Sequence, residues 1–225
     1  MRNSTLVVVI LLVVVAGGFF FLGSQFGGGA ASVVSTTTDT GPTDGTGTTG
    51  SGPVTGSGNW QVFENALLSI RYPDVFVVNP VATGDEWRSG ANGDAGTLDF
   101  RATLPKSFAP GTNFSDAKLT VGHSANATTV ADCMKPDPSG GPASSLTTRV
   151  INGTTFTVFT SSDAGAGNLY DTTSYRTVHQ NTCIAVEYTI HYTQIANYPP
   201  GAVTEFDEAA VKAELDAVVD TATLK

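Results

Sequence analysis

Basic residues are scarce in this chain. Only 11 of its 225 residues are lysine or arginine, against 20 aspartates and glutamates, which gives a formal net charge of −9. Binding to a nucleic acid depends on clustered basic side chains that contact phosphates. The few and scattered lysines and arginines therefore exclude a nucleic-acid partner, and they also disfavour attachment to an anionic lipid surface.

Charge is missing altogether from residues 6–22, a run of 17 apolar residues and glycines near the N-terminus. As a helix the run would rise about 26 Å, close to the ~30 Å hydrocarbon core of a bilayer. It predicts a transmembrane anchor over residues 1–23, with the lipid bilayer as the partner of residues 6–22. Because Arg2 precedes the run and the next basic residue is Arg71, we expect a cytoplasmic N-terminus and an extracytoplasmic C-terminal domain.

A cleavable signal peptide is the alternative for this segment. Its apolar region would be shorter, about 7–15 residues, and would end at a site of small residues. Gly29-Ala30-Ala31-Ser32 offers such a site, whereas Gly23-Ser24-Gln25-Phe26, directly after the run, does not. The length of the run favours an uncleaved anchor.

Residues 24–58 have little apolar surface. Glycine, threonine and serine fill 24 of these 35 positions, a composition too poor in apolar groups to offset the entropy of ordering the chain. We therefore predict a disordered linker. Gly45-Thr46-Gly47-Thr48-Thr49-Gly50 matches the dinucleotide fingerprint G-x-G-x-x-G, but no strand precedes it and no helix follows, so no cofactor is predicted.

Residues 59–225 show the alternation of a strand-rich domain. Asn152-Gly153 and Gln180-Asn181 each separate two strand patterns and predict the tight turn of a β-hairpin. In the second hairpin, the strand after the turn has hydrophobic residues at every second position, which predicts one buried face. Apolar residues spaced at i, i+4, i+7 and i+8 predict one helix over residues 207–221.

Two segments of this domain resemble PsbP-like domains. Phe63-Glu64-Asn65 and the strand through Tyr72-Pro73 are similar to the opening of that fold, and residues 183–190 with the last helix are similar to its closing strand and helix. The resemblance implies an α+β fold, a PsbP-like α/β/α sandwich in which helices flank an antiparallel β-sheet. Such domains dock onto larger assemblies and occur in membrane-anchored bacterial proteins of unknown role, and no catalytic residue is carried over.

The chain has only two cysteines, Cys133 and Cys183. The expected topology places both outside the cytoplasm, where disulfides form and persist, so we predict that they bond to each other. Closing a loop of about 51 residues would contribute roughly 4 kcal/mol. A redox pair is the alternative, but it favours close spacing and an electropositive environment, and Asp132 lies beside Cys133.

A candidate ligand face follows from the register of the second hairpin. If Gln180-Asn181 form its turn, Arg176 lies diagonal to Glu187 as a cross-strand ion pair, with His191 farther along the same face. The chain has three histidines, none in an H-x-H or H-x-x-x-H spacing, so no metal site is predicted. No nucleophile or acid/base motif appears, so no catalytic residue is predicted.

These features predict a membrane-tethered extracytoplasmic binding or assembly module, with an envelope protein as candidate partner. The alternative is an extracytoplasmic enzyme, hydrolase-like, whose site is assembled from residues distant in sequence. That alternative requires a deep pocket near Arg176, Glu187 or His191.

Overall fold

The computed structural model of the chain describes residues 59–88, 95–135 and 145–225. The predicted anchor, residues 1–23, the predicted linker, residues 24–58, and the alternative cleavage site lie outside the described residues. Among the helices of the described ranges, none has both the length and the hydropathy to cross a membrane.

Strands dominate the described residues, and two α-helices and two 3-10 turns accompany them. The strands are β1 (Trp60–Glu64), β2 (Leu68–Pro73), β3 (Val77–Val78), β4 (Glu86–Arg88), β5 (Ala95–Pro105), β6 (Phe114–Ser124), β7 (Ser145–Ile151), β8 (Thr154–Gly165), β9 (Asn168–His179), β10 (Thr182–Thr193) and β11 (Thr223–Leu224). The helices are α1 (Ala127–Asp132) and α2 (Glu208–Val219), and the 3-10 turns are Lys106–Phe108 and Ile195–Asn197.

The strands form two antiparallel sheets. The large sheet has eight strands in the order β3-β5-β6-β10-β9-β8-β7, and β4 also pairs with β5. The small sheet has the order β1-β2-β11. The register of β5 shifts between Leu98 and Phe100, where a bulge interrupts its pairing with β6.

Both predicted hairpin turns are confirmed. Asn152 and Gly153 adopt φ values of 45° and 82°, and Gln180 and Asn181 adopt 48° and 57°, the positive angles that a two-residue turn of type I′ requires. The second turn sets the register, since Thr182 pairs with His179. This register determines, for each side chain of β9 and β10, which of the two faces of the sheet it lies on.

The hydrophobic core lies on one face of the large sheet. Ile184, Val186 and Ile190 of β10 point into it together with Tyr188, all nearly inaccessible to solvent. The small sheet and α2 cover this face, and α2 contributes an apolar stripe to the same core: Val211, Leu215, Val218 and Val219. Asp207 caps the helix by accepting a hydrogen bond from Ala210 N at 3.0 Å, as favoured at helix starts. The predicted final helix is confirmed.

The predicted α/β/α sandwich is wrong. The described residues form an antiparallel, sheet-rich fold in which α2 packs on one face of the large sheet, and the only other α-helix among them, α1, has six residues. The physical reason is the composition of the second face. On β10 that face carries Glu187, Thr189 and His191, which offer no apolar surface for a helix layer to bury.

A hydrogen-bond network ties α2 to the sheet. The hydroxyls of Tyr175 and Tyr188 donate to Asp216 Oδ1 at 2.7 and 2.9 Å. Lys212 Nζ donates to the Tyr188 hydroxyl, and Arg149 Nη1 donates to the Tyr175 hydroxyl at 3.3 Å. We call these five residues the tyrosine network. It satisfies polar groups that would otherwise be costly at the edge of the core.

Because of the tyrosine network, the stability of the protein decreases at alkaline pH. Burial, and then the hydrogen bond to Asp216, raise the pKa of Tyr175 from 10.0 to about 12, and burial also raises the pKa of Tyr188. The folded protein thus holds these protons more tightly than the unfolded chain. Their contribution is complete below pH 10 and is lost as the pH rises through the folded pKa.

We therefore expect the free energy of unfolding to fall between pH 10 and 12, and to fall less steeply in Tyr175→Phe. Urea unfolding of both proteins at a series of pH values measures the two slopes. Equal slopes would show that Tyr175 ionises alike in the folded and unfolded chain.

Candidate functional site

Arg176 and Glu187 meet on the face of the large sheet opposite the core. Arg176 Nη2 lies 3.4 Å from Glu187 Oε2, and Ser174 Oγ donates to the same carboxylate oxygen at 2.7 Å. Arg176 Nε in turn donates to Ser174 Oγ at 2.9 Å. The cross-strand ion pair expected from the register is present, and it leaves Glu187 anchored by its Oε2 atom.

His191 is on the same face but is occupied by its own neighbours. Its Nδ1 lies 3.1 Å from Asp116 Oδ2 and its Nε2 lies 3.0 Å from Asn168 Oδ1. The Tyr170 ring stacks on the imidazole with centroids 4.6 Å apart. Because both ring nitrogens are engaged, His191 has none left for a metal or a substrate proton. In the described ranges no group of His, Cys, Asp and Glu could hold a metal ion.

A cleft of about 700 Å³ opens on this face of the sheet, above β5, β6 and β10 and beside β4. We call it the sheet cleft. The residues that define it are Trp87, Leu98, Arg101, Lys118, Thr120 and Glu187. The structure therefore places Glu187 in the sheet cleft, Arg176 directly behind it, and His191 outside it.

The register arranges the cleft residues in rows across three strands. Glu187 of β10 pairs with Thr120 of β6, which pairs with Arg101 of β5. In the next row Lys118 of β6 pairs with Thr103 of β5. Directly paired side chains of an antiparallel sheet point to the same face about 5 Å apart, so an acidic group, hydroxyls and two cationic groups converge there.

Trp87 closes one end of the sheet cleft. It comes from β4 and is 3% exposed, and its side chain lies directly on the backbone of Gly122 in β6. A Cβ atom at position 122 would come within 2.2 Å of Trp87 Cγ, so the indole fits only because this residue is glycine. Its Nε1 is buried and finds no hydrogen-bond acceptor in the described part of the chain, which is rare for a buried donor.

The two cysteines support the same end of the sheet cleft. Their sulfurs lie 2.08 Å apart and their Cα atoms 5.6 Å apart, so the predicted pairing is present. Both side chains are fully buried, in a small second core with Trp87, Leu98 and Ala185. Asn126 caps α1 by accepting hydrogen bonds from the amides of Thr128 and Thr129. Because Cys133 ends α1 and Cys183 lies in β10, the disulfide connects α1 to β10 next to the Trp87 indole.

Cationic side chains are concentrated at the sheet cleft of this acidic protein. Arg101 Nη2 lies 3.2 Å from Asp85 Oδ2 and Arg88 Nη2 lies 2.6 Å from Glu86 Oε2. Lys118 is exposed and, within the described ranges, has no ion-pair partner. With Arg176, four of the 11 lysines and arginines of the chain border this one cleft.

Sequence reasoning missed Trp87, Arg101 and Lys118. Their positions in the chain give no common spacing, and only the pairing of β4, β5 and β6 brings them together. One signal was available for Trp87. Gly122 lies inside β6, and a glycine within a strand often marks the close approach of another group.

Gly122→Ala is expected to destabilise the protein by about 1–3 kcal/mol, the usual cost of overpacking. The new methyl group would force the Trp87 indole off β6 and toward solvent. Thermal unfolding measures the loss, and a red shift of the tryptophan fluorescence reports the displaced indole. Gly165→Ala is the matched control, because a Cβ atom there meets nothing within 4 Å. Equal melting temperatures for the two variants would contradict this packing.

Comparisons with known proteins do not identify the family or the function of this chain. No family model matches it, and no curated protein matches it. A protein of Bacteroides thetaiotaomicron VPI-5482, with a crystal structure at 1.50 Å resolution, matches with a TM-score of 0.40 and 14% sequence identity. The match covers 75% of this chain and 48% of that one, so this chain spans about half the length of the matched protein. A likeness this low identifies neither family nor function, and the resemblance to PsbP-like domains stays a prediction.

Proposed function

We propose that this protein is a membrane-tethered extracytoplasmic binding module whose ligand occupies the sheet cleft. The sheet cleft carries the proposal. It is a concave site of about 700 Å³, within the size range of ligand pockets, and it combines convergent polar groups with a buried indole. It lies on the face of the sheet opposite the main core, and of the residues that define it only Trp87 and Leu98 also pack in the small second core.

Three features of the chain support the extracytoplasmic location of the domain. Residues 6–22 are long and apolar enough for an anchor, and Arg2 precedes them while no lysine or arginine follows before Arg71. Residues 24–58, as a flexible chain, would give the domain an r.m.s. reach of about 30–35 Å from the bilayer. The buried disulfide fits an oxidising compartment.

An extracytoplasmic enzyme is the second candidate, because the sheet cleft includes Glu187 as that alternative requires. The contacts of the described residues favour binding over catalysis. The two carboxylates that line the cleft, Glu86 and Glu187, are each in an ion pair with an arginine, and both nitrogens of His191 are occupied. Conversion of a bound ligand by the purified protein would favour the enzyme instead.

A protease-protection experiment tests the location. The full chain carries an N-terminal tag, and protease is added to cells whose outer barrier has been opened. We expect the domain to be digested while a short tagged fragment remains protected inside the membrane. A fully protected chain would overturn the extracytoplasmic location.

Site-specific photocrosslinking tests the binding site in living cells. A photoreactive amino acid replaces Thr120 inside the sheet cleft, or Thr148, which is exposed on β7 of the same face but outside the cleft. We expect an adduct that forms at position 120 and not at position 148. Identical adducts, or none, at both positions would overturn binding in the sheet cleft.

A further inference from the structure

The sheet cleft presents hydrogen-bond donors that lack acceptors. Lys118 Nζ has no partner within the described ranges. Arg101 uses only Nη2, which donates to Pro80 O at 2.9 Å and to Asp85 Oδ2 at 3.2 Å, so its other nitrogens are open in the described part of the chain. The buried Trp87 Nε1 also lacks an acceptor there. Lys118 and Arg101 are thus two cationic donors suited to an anionic oxygen group, whereas Trp87 Nε1 is buried away from a ligand.

The same site also presents an acceptor that lacks a donor. Glu187 Oε2 accepts hydrogen bonds from Ser174 Oγ and Arg176 Nη2, while Oε1 accepts none from any described residue. A carboxylate at this position repels a ligand that is only an anion, but it accepts hydrogen bonds from hydroxyl groups. Thr120, between Glu187 and Arg101, adds a hydroxyl that can donate or accept.

The spacing of these groups sets the size of the ligand. Glu187 and Arg101 are on the two strands that flank β6, so their backbones are roughly 10 Å apart, at about 4.8 Å per strand. Both side chains extend over the cleft and shorten that gap. One sugar ring with an attached carboxylate would reach from one to the other, and the cleft volume leaves room for a second ring.

We propose that the sheet cleft binds an acidic saccharide, with its carboxylate at Arg101 and Lys118 and its hydroxyl groups at Glu187 and Thr120. This proposal rests on the proposed function and names its ligand class. Neutral sugars bind more weakly because the cationic donors stay unpaired. Simple anions bind more weakly because they carry no hydroxyl group to donate to Glu187 Oε1 and are repelled by its carboxylate.

A ligand-observed NMR titration of the full chain in a mild detergent tests the ligand class. The probes are digalacturonate, its neutral counterpart galactobiose, galactose 6-phosphate and acetate, at pH 7 and constant ionic strength. We expect digalacturonate to bind at least 10-fold more tightly than each of the others. Tighter binding of galactose 6-phosphate would overturn the carboxylate assignment. Displacement of digalacturonate by an equal concentration of acetate would overturn the saccharide assignment.

Variants locate the binding in the cleft. Lys118→Ala should weaken digalacturonate binding at least 10-fold, as expected for a hydrogen bond to a charged group. Lys106→Ala removes an equal charge from an exposed position outside the cleft and should change the affinity less than 2-fold. Equal effects of the two variants would overturn the site.

The crosslinking experiment separates this proposal from the one it rests on. If none of the saccharides binds but position 120 still forms its specific adduct, the ligand class is wrong and the binding module stands. If both experiments are negative, both proposals are wrong.

Discussion

Replacing Cys133 and Cys183 together by alanine is expected to lower the free energy of unfolding by about 4 kcal/mol. The bond joins residues 50 positions apart, and in the chain-entropy model a loop of this length contributes about that much. The melting temperature should then fall by roughly 8–16 °C, at 2–4 °C per kcal/mol for a domain of this size. Few single substitutions in this protein should have so large an effect.

Reduction of the unaltered protein provides the control. Its two sulfurs are fully buried, so we expect the folded protein to resist a thiol reductant, and a protein reduced while unfolded to melt near the temperature of the double variant. The double variant should not respond to reductant at all. A fall of less than about 1 kcal/mol in the double variant, or an unchanged melting temperature of the unaltered protein after reduction in the unfolded state, would contradict a stabilising disulfide.

Asp216→Ala is expected to cost about 2–4 kcal/mol. It removes the acceptor shared by the hydroxyls of Tyr175 and Tyr188, and each buried donor left without a partner costs about 1–3 kcal/mol. Urea unfolding at pH 7 measures the loss. In the same variant Tyr175 should ionise at a lower pH, because the nearby Asp216 carboxylate raises the pKa of that hydroxyl. The absorbance of tyrosinate measures this change.

Two further variants isolate the shared acceptor. Asp216→Asn keeps one acceptor oxygen and should lose clearly less stability than Asp216→Ala. Asp220→Ala removes a carboxylate that forms a half-exposed ion pair with Arg149 at 2.6 Å, and such pairs are worth about 0–1 kcal/mol. If Asp220→Ala costs as much as Asp216→Ala, the tyrosine network does not depend on the shared acceptor.

Local parts of the fold follow from the sequence because their causes are local. The turn at Gln180-Asn181 fixes the register of β9 and β10, and the stripe from Val211 to Val219 fixes the buried face of α2. The cysteine pairing follows from there being only two cysteines. Each of these features depends on residues that a reader of the sequence can see together.

The prediction of helices on both faces of the sheet is wrong because it rests on the resemblance to PsbP-like domains and not on the residue pattern of the strands. The alternation in β10 already assigned Glu187 and His191 to the face opposite the core. Polar residues at such positions indicate a face open to solvent or ligand rather than one covered by a helix. The alternation of residues, taken alone, predicts the architecture of the β10 face better than the resemblance does.

The site was predictable only in part. The sequence predicts Glu187 and Arg176 as an ion pair on a candidate ligand face, and in the structure this pair lies at the sheet cleft. Arg101 faces Thr120 only because β5 has a bulge between Leu98 and Phe100. A regular strand would send the side chains beyond that point to the other face. No short-range pattern in the sequence encodes this shift.

The division of each strand between two faces has a consequence for how this protein can change. In β10 the even-numbered side chains from Ile184 to Ile190 build the interior, while Glu187 lies in the sheet cleft on the opposite face. Exchanges at the less buried cleft positions, such as Lys118 and Thr120, therefore alter recognition with little penalty to folding, whereas Trp87 and Leu98 belong to the small second core. Lineages that carry this scaffold, or laboratory libraries built on it, can diversify their ligands while the opposite side of the same strands stays constant.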